Sequence, residues 1–258
     1  SVSNAVTLLD KEGAPRSQRS LVVSADAEAT IVDSFSILFN NQAKIGEQYN
    51  SRSIGMVYNL DTFSDMQVYS HTFSSTVGEA VTINGANQKG DSISVSGLTD
   101  APTAGETFTI DGVGAAAGAG RAPTGNLRQF TVLEGSTASV IKVSPALIID
   151  GQEKNVTASP ANSAKLNWIG EEGKTVDFNL AFHRDALTLA CIPTYIKDKG
   201  VESYTIKDKE TGLALRVTKD YTFDKDAERM RVDAVYGWAL TRPEFAVKVM
   251  SVKGLLEE

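Results

Sequence analysis

Residues 105–113 read Gly-Glu-Thr-Phe-Thr-Ile-Asp-Gly-Val, and this stretch decides the fold class. Phe108 and Ile110 alternate with threonines, which is the two-residue period of a strand with one buried face. Asp111-Gly112 predicts a turn after that strand. Similar apolar pairs separated by turn residues lie on both sides, at Ile93 and Val95, Phe130 and Val132, and Ile141 and Val143. Several short strands divided by turns predict a small β-barrel or sandwich.

The composition of the chain changes over residues 74–164. Gly, Ser, Thr, Ala and Val predominate there and long helix formers are few, which favours a separate β domain. Residues 112–125 contain Gly-Ala repeats and Pro123, so we expect them to form a mobile loop. The expected division is a first part at 1–73, an inserted β-barrel at 74–164, and a return to the first domain at 165–258.

The first flanking part has the pattern of mixed strand and helix. Leu21-Val22-Val23 is a short apolar strand candidate. Ser24 can cap a following helix, with Asp26 and Glu28 near the positive end of the helix dipole. The next apolar residues recur at helical spacing, at Ile31, Phe35, Leu38 and Phe39. Strand and helix together predict the α+β class for the domain that carries the barrel.

The longest alternating pattern lies near the end of the chain. Apolar residues occupy every second position from Met230 to Leu240. We therefore expect a central strand with one buried face, in which Tyr236 and Trp238 are core residues. Thr241-Arg242-Pro243 interrupts the pattern, and Pro243 is assigned to the same structural core.

The composition excludes several classes of function. The net charge of −7 over 258 residues does not suit a general nucleic-acid binder. One cysteine and two histidines exclude an intrachain disulfide and nearly exclude a Cys/His metal site. No apolar run approaches the roughly 18 residues that a membrane span requires, so we expect no membrane segment. We also expect no cofactor.

The candidate catalytic and ligand-binding motifs fail on their spacing. His183 and Cys191 are too far apart along one strand for a hydrogen bond, so we expect a turn histidine and a core thiol. Residues 224–228 imitate the opening of a calcium loop, but Arg229 replaces the glycine that such a loop requires. Gly85 and Gly90 have the spacing of the glycines in a phosphate loop, but Asp91 stands where that loop requires a lysine. We therefore expect no catalytic residues.

Six segments of the chain resemble segments of a known family and occur in the same order. They are Leu9-Asp10-Lys11-Glu12-Gly13-Ala14-Pro15-Arg16, Ser20-Leu21-Val22-Val23-Ser24, Gly55 with residues 61–72, residues 105–113, Leu127-Arg128-Gln129-Phe130-Thr131-Val132, and Tyr236-Gly237-Trp238-Ala239-Leu240-Thr241-Arg242-Pro243-Glu244. They resemble the coat proteins of P22-type short-tailed phages. The resemblance implies the Hong Kong phage type of capsid fold, with an apical domain interrupted by a small inserted β-barrel. The family's N-terminal arm, extended loop and spine helix have no counterpart, so we expect the chain to be a C-terminal portion.

The same resemblance implies a major capsid protein that tiles an icosahedral shell in the virion after assembly in the host cytoplasm. The implied partners are many copies of itself, scaffolding and portal proteins, and packaged double-stranded DNA held without sequence-specific binding. In the family, a long loop of the inserted domain bridges neighbouring capsomers, and the matching stretch here is shortened to about residues 86–91. Asn87, Gln88, Lys89 and Asp91 are therefore the candidate intersubunit loop.

Two other classes of protein stay open on the sequence alone. Another virion β-protein, such as a tail or decoration component, would have residues 74–164 as its main body without a flanking mixed domain. An enzyme with an unfamiliar site would need a pocket that joins His183, Cys191 or the pair Asp61 and Asp65.

Overall fold

The computed structural model describes residues 2–36, 55–118, 120–194, 202–209 and 211–252. Strands predominate there, so the expected α+β class is replaced by a mostly β fold. The helices are α1 (Val2–Lys11) and α2 (Ala25–Ser36). The strands are β1 (Arg19–Val23), β2 (Met56–Val57), β3 (Leu60–Ser64), β4 (Ser70–Thr72), β5 (Val81–Ile83), β6 (Gly90–Ser96), β7 (Thr107–Ala117), β8 (Ala122–Val132), β9 (Val140–Leu147), β10 (Lys165–Ile169), β11 (Thr175–His183), β12 (Leu187–Cys191), β13 (Glu202–Lys207), β14 (Ala214–Thr222), β15 (Ala227–Asp233), β16 (Tyr236–Leu240) and β17 (Ala246–Val252).

The beginning of α2 agrees with the sequence prediction. The Oγ of Ser24 accepts a hydrogen bond of 3.3 Å from the backbone N–H of Ala27, which caps the helix. The predicted strand before it is β1, and alternate residues of β1 are buried. Leu38 and Phe39, which the sequence places on the same helix, lie outside the described residues.

A six-stranded sheet carries the parts of the chain on either side of the barrel. Its order is β17-β11-β1-β3-β2, and β4 also pairs with β11. Strand β1 runs antiparallel to β11 and parallel to β3. Helix α1 packs against β17 and β11 through its buried residues Ala5 and Leu9. The sequence analysis did not identify this helix.

Residues between β4 and β11 form a closed six-stranded barrel of order β10-β5-β6-β9-β8-β7. Its core contains buried side chains from the predicted alternating pairs, among them Phe108 and Phe130. The predicted boundary at Ala164 falls too early, because β10 closes the barrel by pairing with both β5 and β7. The two ends of the barrel segment meet where Val81 pairs with Leu166.

Within the range 112–125, residues 112–117 and 122–125 belong to the paired strands β7 and β8, so the expected mobile loop is wrong for the described residues. Strand β7 continues through Asp111-Gly112 with a register shift, which is a bulge where a turn was expected. A Cβ added at Gly114 would lie 2.8 Å from the Oγ1 of Thr157, and Ala116 is almost completely buried. Gly114 and Ala116 therefore reflect close packing, at Gly114 against the side chain of Thr157.

The chain divides into two compact units, and the smaller one is Asp185–Pro243. It contains a two-stranded sheet of β12 and β16 and a three-stranded sheet of order β13-β14-β15. The expected single strand from Met230 to Leu240 is wrong, because β15 ends at Asp233 and β16 begins at Tyr236. The two strands have different partners and belong to different sheets.

Candidate functional site

The three-stranded sheet of the smaller unit, here named the hairpin sheet (β13, β14 and β15), has one apolar face. Tyr204 pairs with Val217, and Val217 pairs in turn with Val232. Paired residues project to the same side of a sheet, so their neighbours two positions away share this face. The apolar part of this face consists of Tyr204, Ile206, Leu215, Val217, Met230 and Val232, and the paired Glu202 and Lys219 lie on the same face beside Met230. Apart from the half-buried Val217, the apolar side chains are 46–66% exposed.

The opposite face of the hairpin sheet is polar, and several of its groups pair with one another. Asp233 accepts hydrogen bonds of 2.6 Å from Arg231 on its own strand and from Arg216 on β14. Hydrogen bonds from Arg231 and Arg216 hold the pKa of the Asp233 carboxyl below its ordinary value. The hydroxyls of Ser203 and Thr218 lie 3.1 Å apart. The hairpin sheet is therefore amphipathic, and it is the apolar side that lacks cover within the unit.

The two-stranded sheet also has an apolar side. Leu189 pairs with Trp238 and Cys191 pairs with Tyr236. Tyr236 and Trp238 are 66% and 78% exposed, and Pro243 is exposed at the start of a 3-10 turn. The prediction that these three are core residues is therefore wrong within this chain. In the described residues β16 pairs with β12 alone, and the exposure of Tyr236 and Trp238 shows that no second layer covers their side chains there.

An apolar groove of about 360 Å³ lies within the smaller unit. It is lined by Leu189, Cys191, Leu213, Ala214, Leu215, Ala234 and Tyr236. The Sγ of Cys191 accepts a hydrogen bond of 3.1 Å from the backbone N–H of Ala214, which ties β12 to the start of β14. None of the lining side chains is charged, so the groove suits an apolar group.

The tip of the β14–β15 hairpin carries an exposed aromatic ring. Phe223 is 88% exposed, and its ring meets the Tyr221 ring edge-on at a centroid distance of 5.1 Å. The Tyr221 hydroxyl donates to the carboxylate of Asp226, and this bond raises the pKa of Tyr221. Asp226 adopts the left-handed conformation with φ of 45°. The tip is thus ordered by its own contacts while the Phe223 ring stays in solvent.

The candidate intersubunit loop comprises the turn between β5 and β6 and the start of β6, where Asp91 lies. Gln88 belongs to the internal structure of this turn, because its Oε1 accepts a hydrogen bond of 2.6 Å from Ser94 N–H and its Nε2 donates to the Ser94 carbonyl. Asn87, Lys89 and Asp91 are exposed. Three of the four predicted residues are therefore accessible on the barrel surface, and their contact with another subunit stays a prediction.

A polar junction joins the barrel to the six-stranded sheet, and the sequence analysis did not identify it. Glu106, just before β7, is completely buried, and its carboxylate accepts hydrogen bonds from the backbone N–H and the hydroxyl of Ser74. From β17, the Nζ of Lys248 donates to the Thr107 hydroxyl at 3.1 Å and lies 4.7 Å from the centroid of the Phe178 ring. Burial of this ammonium group lowers the pKa of Lys248.

Two further groups complete the junction. The ring of His71 stacks on Phe178 at 5.5 Å, and burial lowers the pKa of His71. Glu12, after α1, accepts a hydrogen bond of 3.0 Å from Arg128 on β8, and both side chains are largely buried. Burial raises the pKa of Glu12 although Arg128 opposes the shift. These hydrogen bonds fix the orientation of the barrel relative to the six-stranded sheet.

The candidate catalytic residues do not converge in the described part of the chain. His183 is the buried last residue of β11 and packs edge-on against Phe245, so it is not the expected turn histidine. Cys191 is half-buried in the smaller unit, and Asp61 and Asp65 are exposed. The described residues contain no cluster of three or more His, Cys, Asp or Glu that could hold a metal ion. The described helices are too short and too polar to cross a membrane.

Large apolar side chains left exposed on two sheets of a β-rich chain are typical of a building block of an assembly. The family model described as P22 coat protein, gene protein 5, matches residues 1–250. The chain therefore belongs to the P22 coat protein family, and it is a structural subunit of a bacteriophage capsid. No curated protein matches the chain. This match confirms the resemblance to the coat proteins of P22-type phages. Members of the family are structural proteins of the virion capsid, which speaks against a tail or decoration protein and against an enzyme.

Proposed function

We propose that this capsid subunit is joined to neighbouring copies through the apolar surfaces of residues 185–243. The observation that carries the proposal is the hairpin sheet, whose polar face is internally paired while its apolar face is 46–66% exposed. An amphipathic sheet is stable only when a second layer covers its apolar face. A shell made of many copies of one chain supplies that layer from the next subunit.

The size of these surfaces suits a specific interface. Such interfaces bury about 800 Å² per partner. Four aromatic residues of the smaller unit, Tyr204, Phe223, Tyr236 and Trp238, are 62–88% exposed. An aromatic side chain buries about 150–250 Å², and about three quarters of the surface of these four is exposed, so together they can supply roughly 400–700 Å². Their aliphatic neighbours on the same faces can supply the remainder.

The proposed fold is an apical domain of the Hong Kong phage type interrupted by the barrel. The topology supports this, because the chain leaves the six-stranded sheet after β4, returns in β11, and pairs Thr72 with Thr175 at that point. Adjacent ends allow a domain to be inserted without disturbing its host sheet. The inserted barrel would stiffen each subunit through its polar junction with the sheet.

The proposed role also includes partners beyond the shell itself. Scaffolding and portal proteins would act during assembly in the host cytoplasm, and double-stranded DNA would fill the finished shell. The net charge of −7 favours a wall that repels DNA over one that binds it. Asn87, Lys89 and Asp91 on the exposed barrel turn would contact a neighbouring capsomer.

The two tryptophans of the chain allow a direct test. In a Trp168→Phe variant the only tryptophan is Trp238, which is 78% exposed in the single chain. Its emission should shift to shorter wavelength, and its quenching by acrylamide should fall, when subunits assemble. The control is Trp238→Phe, which leaves Trp168 against Phe108 in the barrel and should change little. Unchanged emission from Trp238 in intact shells would contradict the proposal.

A further inference from the structure

Within the proposed interface, on which this inference rests, we infer that Phe223 of one subunit inserts into the apolar groove of the next subunit. The groove is the one of about 360 Å³ that contains Leu189, Cys191 and Tyr236. The occupant is a second copy of this chain, and the contact joins two different patches of the same surface.

The hairpin tip has the properties of an inserting group. Phe223 is 88% exposed, although burial of such a side chain is favourable. Its position is set by the edge contact with Tyr221 and by the hydrogen bond from Tyr221 to Asp226. A ring held in place before binding loses little conformational entropy when it is buried. The hairpin tip is therefore preorganised for binding to a partner.

Phe223 cannot reach the groove of its own subunit, because the extended strand β14 separates the two. Leu215, near the start of β14, lines the groove, and Phe223 follows the end of the same strand. The eight residue steps from Leu215 to Phe223 span about 26 Å at the rise of a β-strand. The groove and the tip thus lie at opposite ends of one extended strand, which is the arrangement that lets a row of identical subunits connect tip to groove.

The groove is large enough for the ring. An apolar cavity of about 150 Å³ accommodates benzene in a protein core, so about 360 Å³ accepts a phenyl ring with space for its β-carbon. A contact between two different patches is heterologous, and repetition of a heterologous contact closes a ring when the rotation allows it. The inferred insertion is therefore a contact around a capsomer axis.

The single natural cysteine makes the contact measurable. Cys191 lines the groove and is the only cysteine in the chain. In shells assembled from a Phe223→Cys variant, mild oxidation should link residue 223 of one subunit to Cys191 of the next and produce a ladder of covalent oligomers. The same variant in a Cys191→Ala background should produce no ladder. Asn87→Cys on the exposed barrel turn is the matched control and should give at least tenfold less cross-linked product.

Two results would overturn the inference. One is the absence of a ladder in Phe223→Cys shells in which Trp238 is protected. This result would contradict the insertion of Phe223 but not the proposed interface. The other is a covalent dimer that forms without Cys191, since it would place two tips against each other. If Phe223→Cys subunits do not assemble alone, they are co-assembled with an excess of parental subunits. Each parental neighbour then provides Cys191, and a cross-linked dimer is the expected product.

Discussion

The barrel and residues 185–243 are both built from short strands with alternating apolar residues, yet only the barrel covers its own apolar side. In the barrel Phe108 and Phe130 are completely buried, whereas the buried apolar residues described in the smaller unit are Ala186 and Ala214. The difference lies in closure, because β10 joins β5 to β7 and turns all the inner faces toward one another. Alternation fixes which side of a strand is apolar, and topology decides whether the same chain covers it.

The largest expected effect is in the barrel core. Phe108→Ala should lower the free energy of unfolding of the barrel by about 3–5 kcal/mol, because it removes a completely buried ring that contacts Phe130 and Trp168. Urea denaturation followed by fluorescence measures this. Leu133→Ala, at a 42% exposed position of the barrel segment, is the control and should stay within about 0.5 kcal/mol of the parent. Equal losses in the two variants would contradict a closed, close-packed barrel.

A smaller loss is expected in the glycine-rich hairpin. Gly114→Ala should destabilise the barrel by about 1–3 kcal/mol, since the added methyl group would lie 2.8 Å from the Thr157 hydroxyl. Gly120→Ala is the matched control, because no atom lies within 4 Å of the position of its added Cβ. Thermal melting of both variants provides the comparison. If Gly114→Ala melts like the control, residues 112–125 are a loop after all.

The smaller unit should respond in the opposite way. Trp238→Ala should change the free energy of unfolding of the free subunit by less than about 1 kcal/mol, because the side chain is already 78% exposed. The same variant should assemble poorly, since it removes a large aromatic group from the proposed interface. Sedimentation of assembly reactions beside denaturation of free subunits measures both properties. A strongly destabilised free subunit would show that Trp238 is buried in the core of the chain.

The smallest expected effect is a pH dependence at the junction. Burial keeps the pKa of His71 below its ordinary value of 6.5 in the folded state, with Glu106 opposing the shift and Lys248 reinforcing it. The unfolded chain therefore binds the proton first as pH falls below about 6.5, so stability is complete above that value and decreases below it. The melting temperature of the parent should fall more between about pH 8 and about pH 5.5 than that of His71→Phe. Equal decreases in the melting temperatures of the two proteins would show that His71 does not cause the pH dependence.

The barrel could be predicted from the sequence because its signals are local. Phe108, Ile110 and their counterparts alternate within single strands, and Gly97 and Gly135 adopt the positive φ values that the predicted turns require. The hairpin of β7 and β8 could not be predicted over its glycine- and alanine-rich part, because Gly and Ala are both depleted in strands and Gly favours turns. Thr157, which requires the small residue at Gly114, is distant in sequence.

The candidate site could be predicted only in part, for a related reason. Alternation near the end of the chain identified Tyr236 and Trp238 as apolar-face residues, but burial depends on which strand pairs with β16. The Glu106 and Lys248 junction gives no local signal, because its groups come from distant segments. Family membership identified the capsid role without locating any interface.

Radical labelling of free subunits and of assembled shells tests the central claim most directly, because it reports both regions in one experiment. Met230, Tyr236 and Trp238 are predicted to react strongly in free subunits, where they are 66–78% exposed, and to be protected in shells. Phe108 and Phe130 should stay unreactive in both states, because the barrel covers them completely. Strong labelling of Met230, Tyr236 and Trp238 in intact shells would show that the smaller unit does not use its apolar faces to join subunits.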